Sequence, residues 1–182
     1  MCRLITLLDV KEVVAMKQNK GFTLIELVVV IAILAILSAI ALPKFAEISE
    51  SAHSSSVEAA GGAYISAISL VRSQWLANGV HSAVTNLPGY GEPDNVLDVS
   101  TDGWPTGVNG NTNPSGMTSA ECNALWGELM TTSSLATSTV AGEDYLTTLV
   151  GGDCRYTYQA TADGHRIEYD PNTGDVHTEL SP

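Results

Sequence analysis

The chain has 182 residues, 45% of them hydrophobic, and a formal net charge of −12. That length holds one membrane segment and one modest soluble domain, which excludes a large multidomain enzyme. With 20 acids against 8 lysines and arginines, few cations remain to neutralise phosphates, so nucleic acid and anionic lipid headgroups are not expected partners.

Residues 1–15, MCRLITLLDVKEVVA, serve no evident purpose and lead to a second methionine, Met16. Met16–Gly21 (MKQNKG) is short, polar and basic, and Lys17 and Lys20 form the kind of flank that stays on the cytoplasmic side of a membrane. Translation is expected to begin at Met16. A longer leader from Met1 is the alternative, and the two differ only in what a cleavage would discard.

From Phe22 to Leu42 a single charged side chain, Glu26, interrupts an apolar run. About 20 such residues, rising about 1.5 Å each, cross a bilayer as one helix. A carboxylate in hydrocarbon is costly unless something neutralises it, so Glu26 requires a partner. Snorkelling or protonation near the interface is the other reading. An ordinary signal peptide would be cut after the run, at Ala39-Ile40-Ala41, giving a secreted domain and leaving Glu26 unexplained.

The basic leader ending in Gly21, the FTLIE that follows, the unbroken apolar run and its closing Pro43 resemble the class III signal of type IV pilins and the related pseudopilins. The resemblance implies that a prepilin peptidase cuts between Gly21 and Phe22 and methylates the new amino terminus on Phe22. It also implies that Glu26 meets the N-terminal amine of Phe22 in a neighbouring subunit. The implied assembly is a homo-oligomeric helical filament raised by inner-membrane pilus machinery. The prepilin would first span the inner membrane of a bacterium once, head outside the cytoplasm, before joining an extracellular pilus. The charge pairing is physically reasonable, since stranding one partner of a buried ion pair costs about 3–5 kcal/mol. Loss of residues 1–21 removes four basic and two acidic residues and shifts the formal side-chain charge from −12 to −14.

Beyond the run, Pro43 cannot donate an amide hydrogen and is expected to kink or loosen a continuing helix. Apolar spacing resumes at Phe45, Ile48 and Ala52, expected to be half-buried, and strengthens at Tyr64, Ile68, Val71 and Trp75, one helical face. Asn78-Gly79 supplies a stop. An unbroken helix from Phe22 to Asn78 would measure about 85 Å; two helices jointed near Gly61 are the alternative. The expected division is therefore a leader (1–21), an assembly helix (22–42), its amphipathic continuation (43–79) and a head (80–182).

In the head, residues 80–118 read as a surface loop packed by Tyr90 and Trp104, rich in Gly, Pro and Asn. Thr118 to Glu121 has capping-box spacing ahead of a short helix carrying Cys122, Leu125, Trp126 and Leu129. After Cys154, two turn signals, Ala162-Asp163-Gly164 and Pro171-Asn172-Thr173-Gly174, separate three strand-like runs of an antiparallel meander. The expected fold class is α+β, a long helix against a small antiparallel sheet. Cys122 and Cys154 form the natural disulfide if the head is exported; two reduced buried thiols are the alternative. The CNALW, CRYTY and IEYDPNTGDV segments resemble mannose-sensitive haemagglutinin pilins.

No catalytic constellation, metal site or cofactor is expected. His53, His81, His165 and His177 are scattered, Asp170, Asn172 and Asp175 lack calcium-loop spacing, and Asp94, Asp98 and Asp102 read as a solvated acidic loop. Ser/Thr-rich residues between Thr131 and Thr139 offer O-modification sites. The leading reading is a pilus subunit for adhesion, attachment or motility. A type II secretion pseudopilin and a tethered or secreted glycan-binding domain using Trp104 and Tyr90 are the alternatives. The surface or host receptor cannot be read from the sequence.

Overall fold

The structure, a computed structural model, describes residues 21–90, 96–130 and 135–181. The leader ahead of Gly21, Asp94 and the start of the Thr131–Thr139 stretch lie outside them. The chain divides into two compact units, Met1–Phe45 and Ala46–Pro182.

In the first unit, helix α1 (Leu24–Ala77) begins three residues after Gly21. Its side chains there are apolar around the whole circumference and exposed, from Leu24 at 80% to Val28 at 47%. Such a helix has no face suited to water. Pro43 lies inside α1, which runs on past it. Lacking an amide hydrogen, Pro43 leaves the Ala39 carbonyl without its usual helical donor.

The second unit is α+β. The later part of α1 packs with α2 (Ser119–Leu129), a ribbon of β1 (Asp98–Val99) and β2 (Pro105–Gly107), and a five-stranded sheet. That sheet runs in chain order through β3 (Thr137–Ser138), β4 (Tyr145–Val150), β5 (Asp153–Tyr158), β6 (Arg166–Tyr169) and β7 (Val176–Glu179). Neighbouring strands are antiparallel except β3 and β4, whose short pairing is parallel. The sequence pattern identifies β5 to β7 but misses β4. Its signal is Tyr145 and the β-branched Thr147, Thr148 and Val150, closed by Gly151-Gly152.

The expected stripe Tyr64, Ile68, Val71 and Trp75 is buried, and Val57, Ala60 and Gly61 extend it. Burying each large apolar side chain contributes about 1.5–3 kcal/mol. Phe45 and Ile48 are exposed at 68% and 56%, and Ala52 is exposed too, which corrects the expectation that they are half-buried. Burial starts only where other elements reach α1, near His53, whose ring meets that of Tyr158 at 5.7 Å. The helix is unbroken at Gly61 and ends at Ala77, with Gly79 closing it at a φ of 66°.

Residues 80–118 do more than cover the surface. Leu87, Leu97 and Val99 enter the core at 1% exposure or less. Their backbone is paired: Val84 and Val99 exchange two hydrogen bonds, and the Leu87 amide donates to the Leu97 carbonyl at 2.7 Å. Polar backbone goes inside only when so paired, and a Gly- and Pro-rich stretch gives no periodic signal of it.

Aromatic rings fill the centre. Tyr64 stacks on Trp126 at 5.3 Å and meets Tyr156 and Tyr169 edge-on at 5.4 and 5.9 Å. The Tyr156 hydroxyl donates to the Cys122 carbonyl at 2.8 Å. Its single proton is thereby committed, so in the 2.9 Å contact between the two hydroxyls Tyr64 is the donor. The Cys122–Cys154 disulfide staples α2 to β5 beside this network, with its Cα atoms 5.5 Å apart.

Candidate functional site

Glu26 sits in the first turn of α1, and the residues before it explain its local geometry. The Thr23 amide and hydroxyl both donate to Glu26 Oε2, at 2.8 and 2.7 Å, and the Glu26 amide returns a bond to Thr23 Oγ1 at 3.3 Å. This is a capping box, in which two helix-end donors are satisfied reciprocally. Thr118 and Glu121 repeat it at the start of α2, with Oγ1 to Oε2 at 2.9 Å. The Thr-x-x-Glu signal that marks α2 in the sequence is present at Thr23 as well, but the apolar run draws attention away from it. Glu26 therefore has a polar partner within its own chain, Thr23.

At the junction just before it, a Cβ built on Gly21 would meet none of the described residues within 4 Å. Nothing in the described residues requires glycine there. Phe22 follows at 88% exposure.

Residues 16–42 match the family model of the prokaryotic N-terminal methylation motif. The chain carries the class III signal peptide of type IV pilins. The motif supports a type IV pilin-like or pseudopilin protein and implies cleavage by prepilin peptidase and assembly into a filament. The motif together with the apolar helix, whose best window has a mean hydropathy of 3.0, supports a membrane-anchored prepilin that is then assembled into an extracellular pilus. The match ends before the head and does not single out mannose-sensitive haemagglutinin pilins. No curated protein and no solved structure matches the chain.

The head residues that suggest binding chemistry are used for packing. Trp104 lies under the Arg72 guanidinium, 4.0 Å from the ring centroid, while Gly174 presses so close that an added Cβ would come within 2.3 Å of the ring. Tyr90 packs against the core. Burial, and then the nearby Glu128, raise its phenol above the usual value. Trp104 is thus packed between Arg72 and Gly174.

The structure does not bring the histidines together. His53 Nδ1 meets the Tyr158 hydroxyl at 2.9 Å, His81 lies edge-on to Trp75, and His165 is buried with Nδ1 accepting from the Ser181 amide at 3.1 Å. His177 is on β7. Asp170 folds a turn: its carboxylate accepts from the Asn172 amide at 2.8 Å, from Asn172 Nδ2 at 2.9 Å and from Thr173 Oγ1 at 3.2 Å. Partial burial raises the Asp170 pKa, but the bonds from Asn172 and Thr173 outweigh it and leave a net lowering. Asp175 joins through Thr173 Oγ1 at 2.8 Å.

Asp98 corrects the reading of a solvated acidic loop. It is fully buried, with Oδ1 accepting from the Asn86 amide at 3.0 Å and Oδ2 from the Gly110 amide at 2.5 Å. Asp102 is exposed. Among the described residues, no group of three or more His, Cys, Asp or Glu side chains is arranged to hold a metal ion.

Proposed function

We propose that this chain is the structural subunit of a type IV pilus, polymerising through residues 22–42 into a surface filament for adhesion, attachment or motility. The observation that carries it is an apolar helix with exposed side chains that begins at Leu24, within the methylation motif matched at residues 16–42. The bilayer stores that helix before assembly, and copies of the same helix replace lipid around it afterwards. Residues 1–21 are the leader, 43–79 continue the helix, and 80–182 complete the head.

Cleavage falls between Gly21 and Phe22, followed by N-methylation of Phe22. Glu26 pairs with the Phe22 amine of the next subunit. The Cys122–Cys154 disulfide favours a pilin over a type II secretion pseudopilin, since many pseudopilins lack such a pair, and it suits an exported structural protein with no enzymatic role. The CNALW, CRYTY and IEYDPNTGDV segments support the mannose-sensitive haemagglutinin type.

The deciding experiment is N-terminal sequencing and intact mass on filaments sheared from cells. A methylated Phe22 is expected. Processed chain confined to the periplasm would indicate a pseudopilin, and a start near Leu42 would sink both readings.

A further inference from the structure

His165 stands just before β6 and is 1% exposed. Its backbone carbonyl accepts from the Tyr158 amide at 2.9 Å, and its Nδ1 accepts from the Ser181 amide at 3.1 Å. A backbone N–H can only donate, so Nδ1 carries a lone pair and the one proton of the neutral ring sits on Nε2. The same contact ties the segment that follows β7 to the turn between β5 and β6.

Adding a proton to this ring means adding it to Nδ1. Two N–H groups would then face each other, and the bond to Ser181 cannot survive. A buried cation needs a counter-charge, and Asp163 on the turn offers one, its Oδ2 lying 3.9 Å from Nε2. The charged ring therefore has a partner on the turn but loses its partner beyond β7. The other titratable groups on the neighbouring elements have partners of their own. On β5, directly across from His165, the Tyr158 hydroxyl meets His53 of α1 at 2.9 Å. On β6 and β7, Arg166 pairs with Glu168 and Glu179, and alternation along the strand sends Arg166 to the face opposite His165.

We propose that His165 is an acid-operated latch. Neutral, it holds residues 180–181 against the turn between β5 and β6; protonated, it keeps Asp163 as its partner and lets them go. The hold is present where the ring is neutral and is lost as pH falls. Histidine changes charge between about pH 5 and pH 8, which sets the range in which the latch works. Release stops at Glu179, because its pairing with Arg166 and the register of β7 on β6 do not involve the imidazole. Acid thus frees the continuation of an edge strand without opening the aromatic core.

NMR of the isotope-labelled full chain in detergent micelles tests the latch. At about pH 8 the His165 ring should be the Nε2–H tautomer, and at about pH 5 it should carry both protons. The Ser181 backbone order parameter should fall over that range from about 0.85 to below about 0.6, while Glu179 stays rigid. His165→Asn supplies a side-chain carbonyl as acceptor and does not titrate, so Ser181 should stay ordered at both pH values. An Nδ1–H tautomer at about pH 8, a ring still neutral at about pH 5, or a doubly protonated ring with Ser181 still ordered would overturn the proposal. So would a loss of order at Ser181 that is equally large in His165→Asn. If that variant fails to fold, the wild-type ring and Ser181 signals decide between the same outcomes.

Discussion

Gly61 of α1 and Thr178 of β7 are packed so closely that a Cβ added to Gly61 would stand 2.0 Å from Thr178 Oγ1 and 3.3 Å from its Cβ. The glycine that reads in sequence as a possible helix joint is instead the place where the last strand meets the helix. Gly61→Ala gains about 1 kcal/mol in helix propensity but forces Thr178 aside, and overpacking costs about 1–3 kcal/mol. A net loss of about 1 kcal/mol is expected in urea unfolding of the detergent-solubilised chain. Adding Thr178→Ala should recover most of it. A double variant no more stable than Gly61→Ala would refute the contact.

The capping box allows two roles of Glu26 to be separated. Glutamine serves in a capping box as glutamate does, so Glu26→Gln keeps the helix start but removes the charge, whereas Glu26→Ala removes both. Filament yield should fall severely and to a similar extent in both variants, with cleavage after Gly21 unchanged in each. Normal filaments from Glu26→Gln would show that the box, and not a charge pair, is what assembly needs.

The disulfide closes a 32-residue separation between α2 and β5. Replacing Cys122 and Cys154 together with alanine should cost about 2–5 kcal/mol. The transition temperature of the oxidised wild type should fall on reduction to nearly that of the double variant. Equal stability before and after reduction would show that the staple is energetically idle.

Buried phenols make the head sensitive to alkali. Burial is the largest influence holding Tyr64, Tyr156 and Tyr169 above the ordinary tyrosine value of 10.0. Their folded pKa values exceed the unfolded ones, so the associated stability is intact below about pH 10 and is lost as pH rises further. Tyrosinate absorbance and far-UV circular dichroism should change together above that pH. These phenols ionising near pH 10 with the fold intact would contradict the packing described.

Asp98 ties two segments of the central loop together through the Asn86 and Gly110 amides. A carboxamide in its place would turn one acceptor into a donor facing a donor, so Asp98→Asn should cost about 1.5–3 kcal/mol. Hydrogen exchange should quicken at Asn86 and Gly110 before the central strands respond. Unchanged protection at both amides would mean the carboxylate holds neither loop.

Local pattern is enough for the elements whose information is local. The Tyr64–Trp75 stripe, the α2 capping box and the turns separating β5, β6 and β7 each depend on residues a few positions apart, and each is legible in the sequence. The signal of β4 is equally local and is easily passed over. Asp98 misleads for a different reason, and Gly61 and Trp104 each leave two readings open. A carboxylate, a glycine and an indole have the same local appearance whether exposed or enclosed, and their roles depend on Gly110, Thr178 and Arg72, which are distant along the chain.

By itself the sequence determined the N-terminal methylation signal, because the residues from Met16, Gly21-Phe22 and the apolar run form one contiguous pattern that the match to residues 16–42 also recognises. Only the tertiary structure decided how the head is built: which tyrosines are enclosed and how far the central loop enters the core. Hydropathy and spacing are properties of neighbours in sequence. Burial is a property of segments that meet, and free energy is gained where they meet.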